Sequence, residues 1–140
     1  MITLKKISKS YTSRGEVVEL FHDLSWEVSE GSWVALMGAS GAGKSSLLSL
    51  IAGIITPDDG EIYLGKTDIT ALTRDEMTCF RGGHIAFIFQ AFELIPNLTV
   101  EENIDLVLDI SHAPRRYRTD EILEKVGLSG KSERYPSELS

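Results

Sequence analysis

Over the first thirty residues apolar and polar positions tend to alternate, most clearly where Leu24, Trp26 and Val28 are separated by Ser25 and Glu27. A period of two marks strands with one wetted face, so residues from about 1 to 30 are expected to form an antiparallel β layer. The pattern changes at Trp33-Val34-Ala35-Leu36-Met37, a continuous apolar run. Such a run predicts a strand covered on both faces, as in the parallel sheet of an α/β protein. Beyond it Leu47, Leu48, Ile51, Ile54 and Ile55 recur at helical spacing until Pro57. Asp58-Asp59-Gly60 then reads as a turn before a short strand at Ile62-Tyr63-Leu64.

A second apolar run, Ile85 to Phe89, predicts another buried strand. The helix expected before it opens on a capping box, in which the Thr73 and Glu76 side chains answer each other's backbone N–H groups. Past Gln90 the periodicity is mainly helical. Thr99 and Glu102 form another capping box opening a helix with Ile104, Val107 and Leu108 inward, and Ile122, Leu123 and Val126 lead a later helix to a stop at Gly127. The expected organisation is one domain in three parts: a β layer over about 1–30, an α/β core over about 31–90 and a helical subdomain over about 91–140.

Composition narrows the picture. The chain has 140 residues, 42% of them hydrophobic, which is ample for a core of its own. A net charge of -7 argues against a nucleic-acid partner, because neutralising a phosphate backbone takes a clustered excess of Lys and Arg. The one dense basic cluster, Arg115, Arg116 and Arg118, reads as a solvated helix start. A single cysteine, Cys79, allows no internal disulfide, and no stretch reaches the roughly 18–20 apolar residues of a membrane helix. A cytoplasmic location is expected. His22, His84 and His112 show no ligand spacing, and the pairs Asp58-Asp59 and Glu101-Glu102 read as a turn and a helix start.

The chemistry is concentrated in Gly38-Ala39-Ser40-Gly41-Ala42-Gly43-Lys44-Ser45, which fits G-x-x-x-x-G-K-[ST], the Walker A or P-loop pattern, between an expected strand and an expected helix. Glycine is needed because a backbone wrapped around a phosphate takes positive φ angles and comes closer than a Cβ atom permits. Successive N–H groups of such a loop converge on one anion, and the free amides of the following helix add to the field. In this reading the ligand is ATP with Mg²⁺. Lys44 reaches the β- and γ-phosphates, Ser45 offers its hydroxyl to Mg²⁺, and Ser46 meets the α-phosphate side. The competing reading is a small-residue turn that merely joins strand to helix.

With that loop in place the sequence resembles the ATP-binding subunits of ABC transporters over essentially its whole length. Gln90, closing the run Ile85 to Phe89, looks like the family's Q-loop glutamine, and the resemblance implies contact with Mg²⁺ and the attacking water. Tyr11 lies where the family carries an aromatic residue that stacks on adenine. Pro136-Ser137-Glu138-Leu139-Ser140 is similar to the approach to the family signature, so Leu139 and Ser140 would act in trans on the nucleotide of a second copy. Phe87-Ile88-Phe89-Gln90, Leu94 to Thr99 and Glu102-Asn103 most resemble the branch serving lipoprotein release, macrolide or peptide export, and cell division.

The fold class this implies is α/β, a P-loop NTPase core of ABC type with an N-terminal antiparallel β layer and a helical subdomain, cut off before the Walker B strand. The resemblance further implies an energy-coupling ATPase working as a homodimer, held at the inner face of the plasma membrane by a membrane-spanning permease. Phe92-Glu93-Leu94-Ile95-Pro96 is either a docking surface for that permease or packing beneath the helical subdomain. The Walker B Asp, the neighbouring Glu and the switch His are expected to follow the signature. With Lys44 and Gln90 the catalytic set is then incomplete, Trp33 to Met37 lacks its neighbouring strand, and the chain alone should be marginal or prone to aggregate. Two alternatives stay open: a P-loop kinase or small NTPase sharing only the phosphate loop, and a non-catalytic nucleotide-binding module.

Overall fold

A computed structural model describes residues 1–13, 15–111 and 118–139, which form two units, Met1–Arg81 and Gly82–Ser140. His112, Arg115, Arg116 and Ser140, each given a reading above, lie outside the described residues.

The first unit is built on a sheet of strands β1 (Ile2–Ser13), β2 (Glu16–Val28), β3 (Asp59–Leu64) and β4 (Thr67–Asp68), antiparallel and ordered β2-β1-β3-β4. The alternation in β2 is the one written in the sequence: Leu24, Trp26 and Val28 are half-buried while Ser25 and Glu27 are exposed. Leu4 and Ile7 of β1 and Ile62 of β3 form the dry face, and each such burial stabilises by about 1.5–3 kcal/mol. β3 crosses β1 closely enough to exclude a side chain at Gly60. Its φ is 95°, and a Cβ there would lie 2.5 Å from the carbonyl oxygens of both Lys5 and Lys6. Gly60→Ala is therefore expected to lower stability by about 2 kcal/mol, measured as a shift of the urea midpoint at unchanged slope.

Helix α1 (Lys44–Ile51) and helix α2 (Arg74–His84) as far as Arg81 complete this unit. α1 is shorter than the apolar spacing suggests. It buries Leu47 and Leu50, caps at Ala52 and turns at Gly53 with φ 61°, leaving Leu48 and Ile54 exposed. The expected capping box of α2 is present: Thr73 N–H donates to Glu76 Oε2 at 2.8 Å and Glu76 N–H to Thr73 Oγ1 at 3.4 Å. Buried Met77, and Arg81 Nη1 donating to Gly53 O at 2.9 Å, hold α2 to the end of α1.

Two expected strands are corrected. Neither 33–37 nor 85–89 joins a ladder among the described residues. Trp33, Val34 and Met37 are exposed and only Leu36 is half-buried; Ile88 and Phe89 are exposed as well. The reason is that apolar sequence supplies faces, whereas a strand also needs a hydrogen-bonded neighbour, which no described residue provides.

The second unit carries helices α3 (Val100–Ser111) and α4 (Thr119–Lys125) and a 3₁₀ turn at Pro136–Glu138. The Thr99–Glu102 capping box forms, at 2.7 and 3.2 Å. The next amides of α3 find backbone acceptors, Val100 N–H on Arg134 O and Glu101 N–H on Ser132 O. Inside, Asn103 is buried and grips the preceding loop: its Oδ1 accepts Ile95 N–H at 2.8 Å, and its Nδ2 donates to the carbonyls of Ile95, Leu98 and Thr99. Val100, Asn103 and Leu123 face inward, but Val107, expected inside, is exposed, as is Val126. α4 ends, as expected, at Gly127 with φ 76°.

Candidate functional site

The loop 38–45 belongs wholly to the first unit. Its glycines take the backbone the motif demands, with φ of 152° at Gly38, 82° at Gly41 and 85° at Gly43. Gly43 is the N-cap of α1 in the left-handed region, and a Cβ on it would stand 3.0 Å from Leu20 Cδ1 and from Phe21 Cζ. The loop is thus seated against β2. Ala42 N–H donates to Ala39 O at 3.3 Å, closing a turn across Ala39 to Ala42.

Lys44 folds back over this loop, its Nζ donating to Gly38 O at 3.0 Å and Ala39 O at 2.7 Å. A full positive charge therefore lies beside the glycine turn, at the amide-rich start of α1, whose first turn holds no acidic residue. Ser40, Gly41, Ala42 and Ser45 are exposed, with Ser46 half-buried behind them. The loop is open to water.

Tyr11 lies near the end of β1, paired with Val18 of β2, and both side chains are exposed. Lys9 Nζ is 5.6 Å from the Tyr11 ring centroid and 2.7 Å from Asp58 Oδ1. The Lys9 hydrogen bond first, and then the Ser10 N–H, hold the Asp58 carboxyl below the usual carboxylate range. This cluster was not read from the sequence, where Asp58 appeared only as part of a turn.

The remaining candidates belong to the second unit. Gln90 is exposed, after the Phe87 and Phe89 rings, whose centroids are 4.6 Å apart. Phe92, Leu94 and Ile95 are exposed, on the loop whose backbone Asn103 of α3 holds. Leu139 is half-buried just past the 3₁₀ turn, where Glu138 accepts Tyr135 N–H at 2.8 Å and pairs with Arg134 at 3.2 Å. Among the described residues no cluster of His, Cys, Asp and Glu could cage a metal, and no helix is long and apolar enough to cross a membrane.

An antiparallel layer with a glycine-rich loop seated against it, opening a helix and capped by its own lysine, defines a P-loop protein of mixed α/β class. Residues 21–140 match the ABC transporter family, and the chain belongs to it. It is 39% identical to the ABC transporter ATP-binding protein YtrE of Bacillus subtilis, aligned over 100% of this chain and 64% of that protein. It is 34% identical to the macrolide export ATP-binding/permease protein MacB of Shigella flexneri, over 100% of this chain and 22% of that one. Among solved structures, the ATP-binding cassette MJ0796, a dimer bound to ADP and Pi in a post-hydrolysis state, superposes with a TM-score of 0.90 at 34% identity. That match covers 100% of this chain and 63% of the cassette. The chain thus spans less than two thirds of the length of these relatives.

Proposed function

We propose that this chain is the ATP-binding part of an energy-coupling ABC transporter subunit that hydrolyses ATP as a dimer. The observation that carries the reading is the Lys44 ammonium lying on the carbonyls of Gly38 and Ala39 at the mouth of α1. A cation held among exposed loop residues beside the free amides of a helix start suits a polyphosphate chain. Gly38 to Ser45 would wrap the phosphates, Lys44 would neutralise the β and γ groups, and Ser46 would meet the α-phosphate side. Tyr11, exposed on the hairpin, would stack on adenine.

The chemistry of the loop also suits Mg²⁺. This hard ion takes oxygen ligands, usually one or two from protein with the rest from phosphate and water, and Ser45 would offer it an exposed hydroxyl, with the amide oxygen of Gln90 as the ligand that the family resemblance implies. When bound, the metal would supply neutralisation of charge on the transferring phosphoryl group. Gln90 would orient water, and Leu139 with Ser140 would contribute to the nucleotide of the second copy. In support, the cassette MJ0796 was solved as a dimer with ADP and Pi.

Exposed Phe92, Leu94 and Ile95 suit an apolar helix of a membrane-spanning permease, which would place the subunit at the cytoplasmic face of the membrane. The test separates binding from turnover. Gln90→Ala should leave the ATP dissociation constant within about twofold and lower kcat by about tenfold or more, as expected for a group acting on water rather than on the ground-state nucleotide. Isothermal titration and phosphate release check the two numbers, and a loss of binding without loss of kcat would reverse the assignment.

A further inference from the structure

β1 is longer than its neighbour on one side. Pairing with β3 ends at Ser8, opposite Asp59, whereas pairing with β2 runs on to Ser13. Ser10 to Ser13 and Glu16 to Glu19 are thus a two-stranded ribbon projecting past the rest of the sheet, and Tyr11 rides on it. Two-stranded ribbons are marginal by themselves.

The ribbon leaves the sheet at a joint. The β1–β2 register shifts between Ile7 and Lys9 and again between Lys9 and Ser10, and the β1–β3 register shifts between Lys5 and Ser8. Lys6 and Asp23, both non-glycine, have φ of 50° nearby. Irregularities of this kind bend a strand and re-aim the side chains beyond them.

Asp58 holds the joint at three consecutive residues. Its N–H donates to Ser8 O at 2.9 Å, its Oδ1 accepts from Lys9 Nζ at 2.7 Å, and its Oδ2 accepts Ser10 N–H at 2.7 Å. The carboxylate supplies the acceptor that β3 would have given Ser10 had it been longer. The Lys9 ammonium it binds is also the cation facing the Tyr11 ring.

We propose that Asp58 is a positioning residue for the base of the nucleotide, fixing through Ser10 and Lys9 the direction in which Tyr11 presents its ring. The inference rests on the reading of Tyr11 as the adenine platform. It assigns to Asp58 an effect on the base and none on the phosphates.

The experiment compares, in the full chain with Mg²⁺, dissociation constants for ATP and for inorganic tripolyphosphate, which lacks a base. Tyr11→Ala should raise the ATP constant and leave that of tripolyphosphate unchanged. Asp58→Ala and Lys9→Met should do the same, raising the ATP constant by roughly two- to tenfold, the range of an aromatic stacking contact. Asp58→Asn, which keeps an acceptor for Ser10 but no charge, should fall between. The double variant Asp58→Ala with Tyr11→Ala should bind ATP no more weakly than Tyr11→Ala, since Asp58 acts through the ring. Equal weakening toward both ligands, or additive effects in the double variant, would overturn the inference by making Asp58 a general prop of the fold. A ratio unchanged by Asp58→Ala yet changed by Tyr11→Ala would overturn it while leaving the platform intact. A ratio insensitive to Tyr11→Ala would remove the platform itself, and this inference with it.

Discussion

Replacing Lys44 with alanine is expected to weaken ATP binding by about a hundredfold, the largest single effect on the site. A hydrogen bond to a charged group contributes about 1.5–3 kcal/mol, and close to 3 kcal/mol is a factor of a hundred in affinity. The structure adds a second loss. The same ammonium ties the carbonyls of Gly38 and Ala39, so its removal frees the first turn of the loop as well as deleting the charge. Lys44→Arg should recover little, because a planar guanidinium cannot replace a compact ammonium between two carbonyls and a phosphate. Titration calorimetry at fixed salt is the measurement, and an affinity within threefold of the parent would refute the role.

The second large effect concerns stability. Asn103→Ala should destabilise the second unit by about 3 kcal/mol, because one buried amide serves four backbone contacts and its loss deprives Ile95 N–H and Leu98 O of this partner. Asn103→Asp should do nearly as badly, since a carboxylate accepts from Ile95 but cannot donate to three carbonyls. Denaturant unfolding followed by circular dichroism gives the size. The spectral shift of a tryptophan placed at Phe92 would report whether the loop loosens before the helices do.

How much of this was legible in advance depended on distance along the chain. The β2 alternation and both Thr/Glu capping boxes were readable because cause and effect lie within four residues. The loop 38–45 was readable for the same reason: its glycine positions dictate φ, and its lysine reaches back only five and six residues. The runs 33–37 and 85–89 were read as strands from composition, yet a ladder is a relation between separated segments, and no described residue supplies the other half. Val107 was placed inside by periodicity, which records that a helix has an apolar face but not where a short helix stops needing one. The Asp58 clasp spans 48 and 49 residues to Ser10 and Lys9, and nothing local to Asp58 distinguishes it from an ordinary turn aspartate.

The stretch Trp33 to Met37 feeds straight into Gly38 without a ladder of its own, so the loop is moored from its far side, by Gly43 on Leu20 and Phe21 and by the lysine. Free energy is a state function, and the consequence is reciprocal. Whatever factor a segment zipping onto 33–37 would apply to the affinity of a nucleotide at this loop, the nucleotide would apply to the zipping. Assembly of the sheet and capture of the ligand are, at this junction, two sides of one thermodynamic cycle.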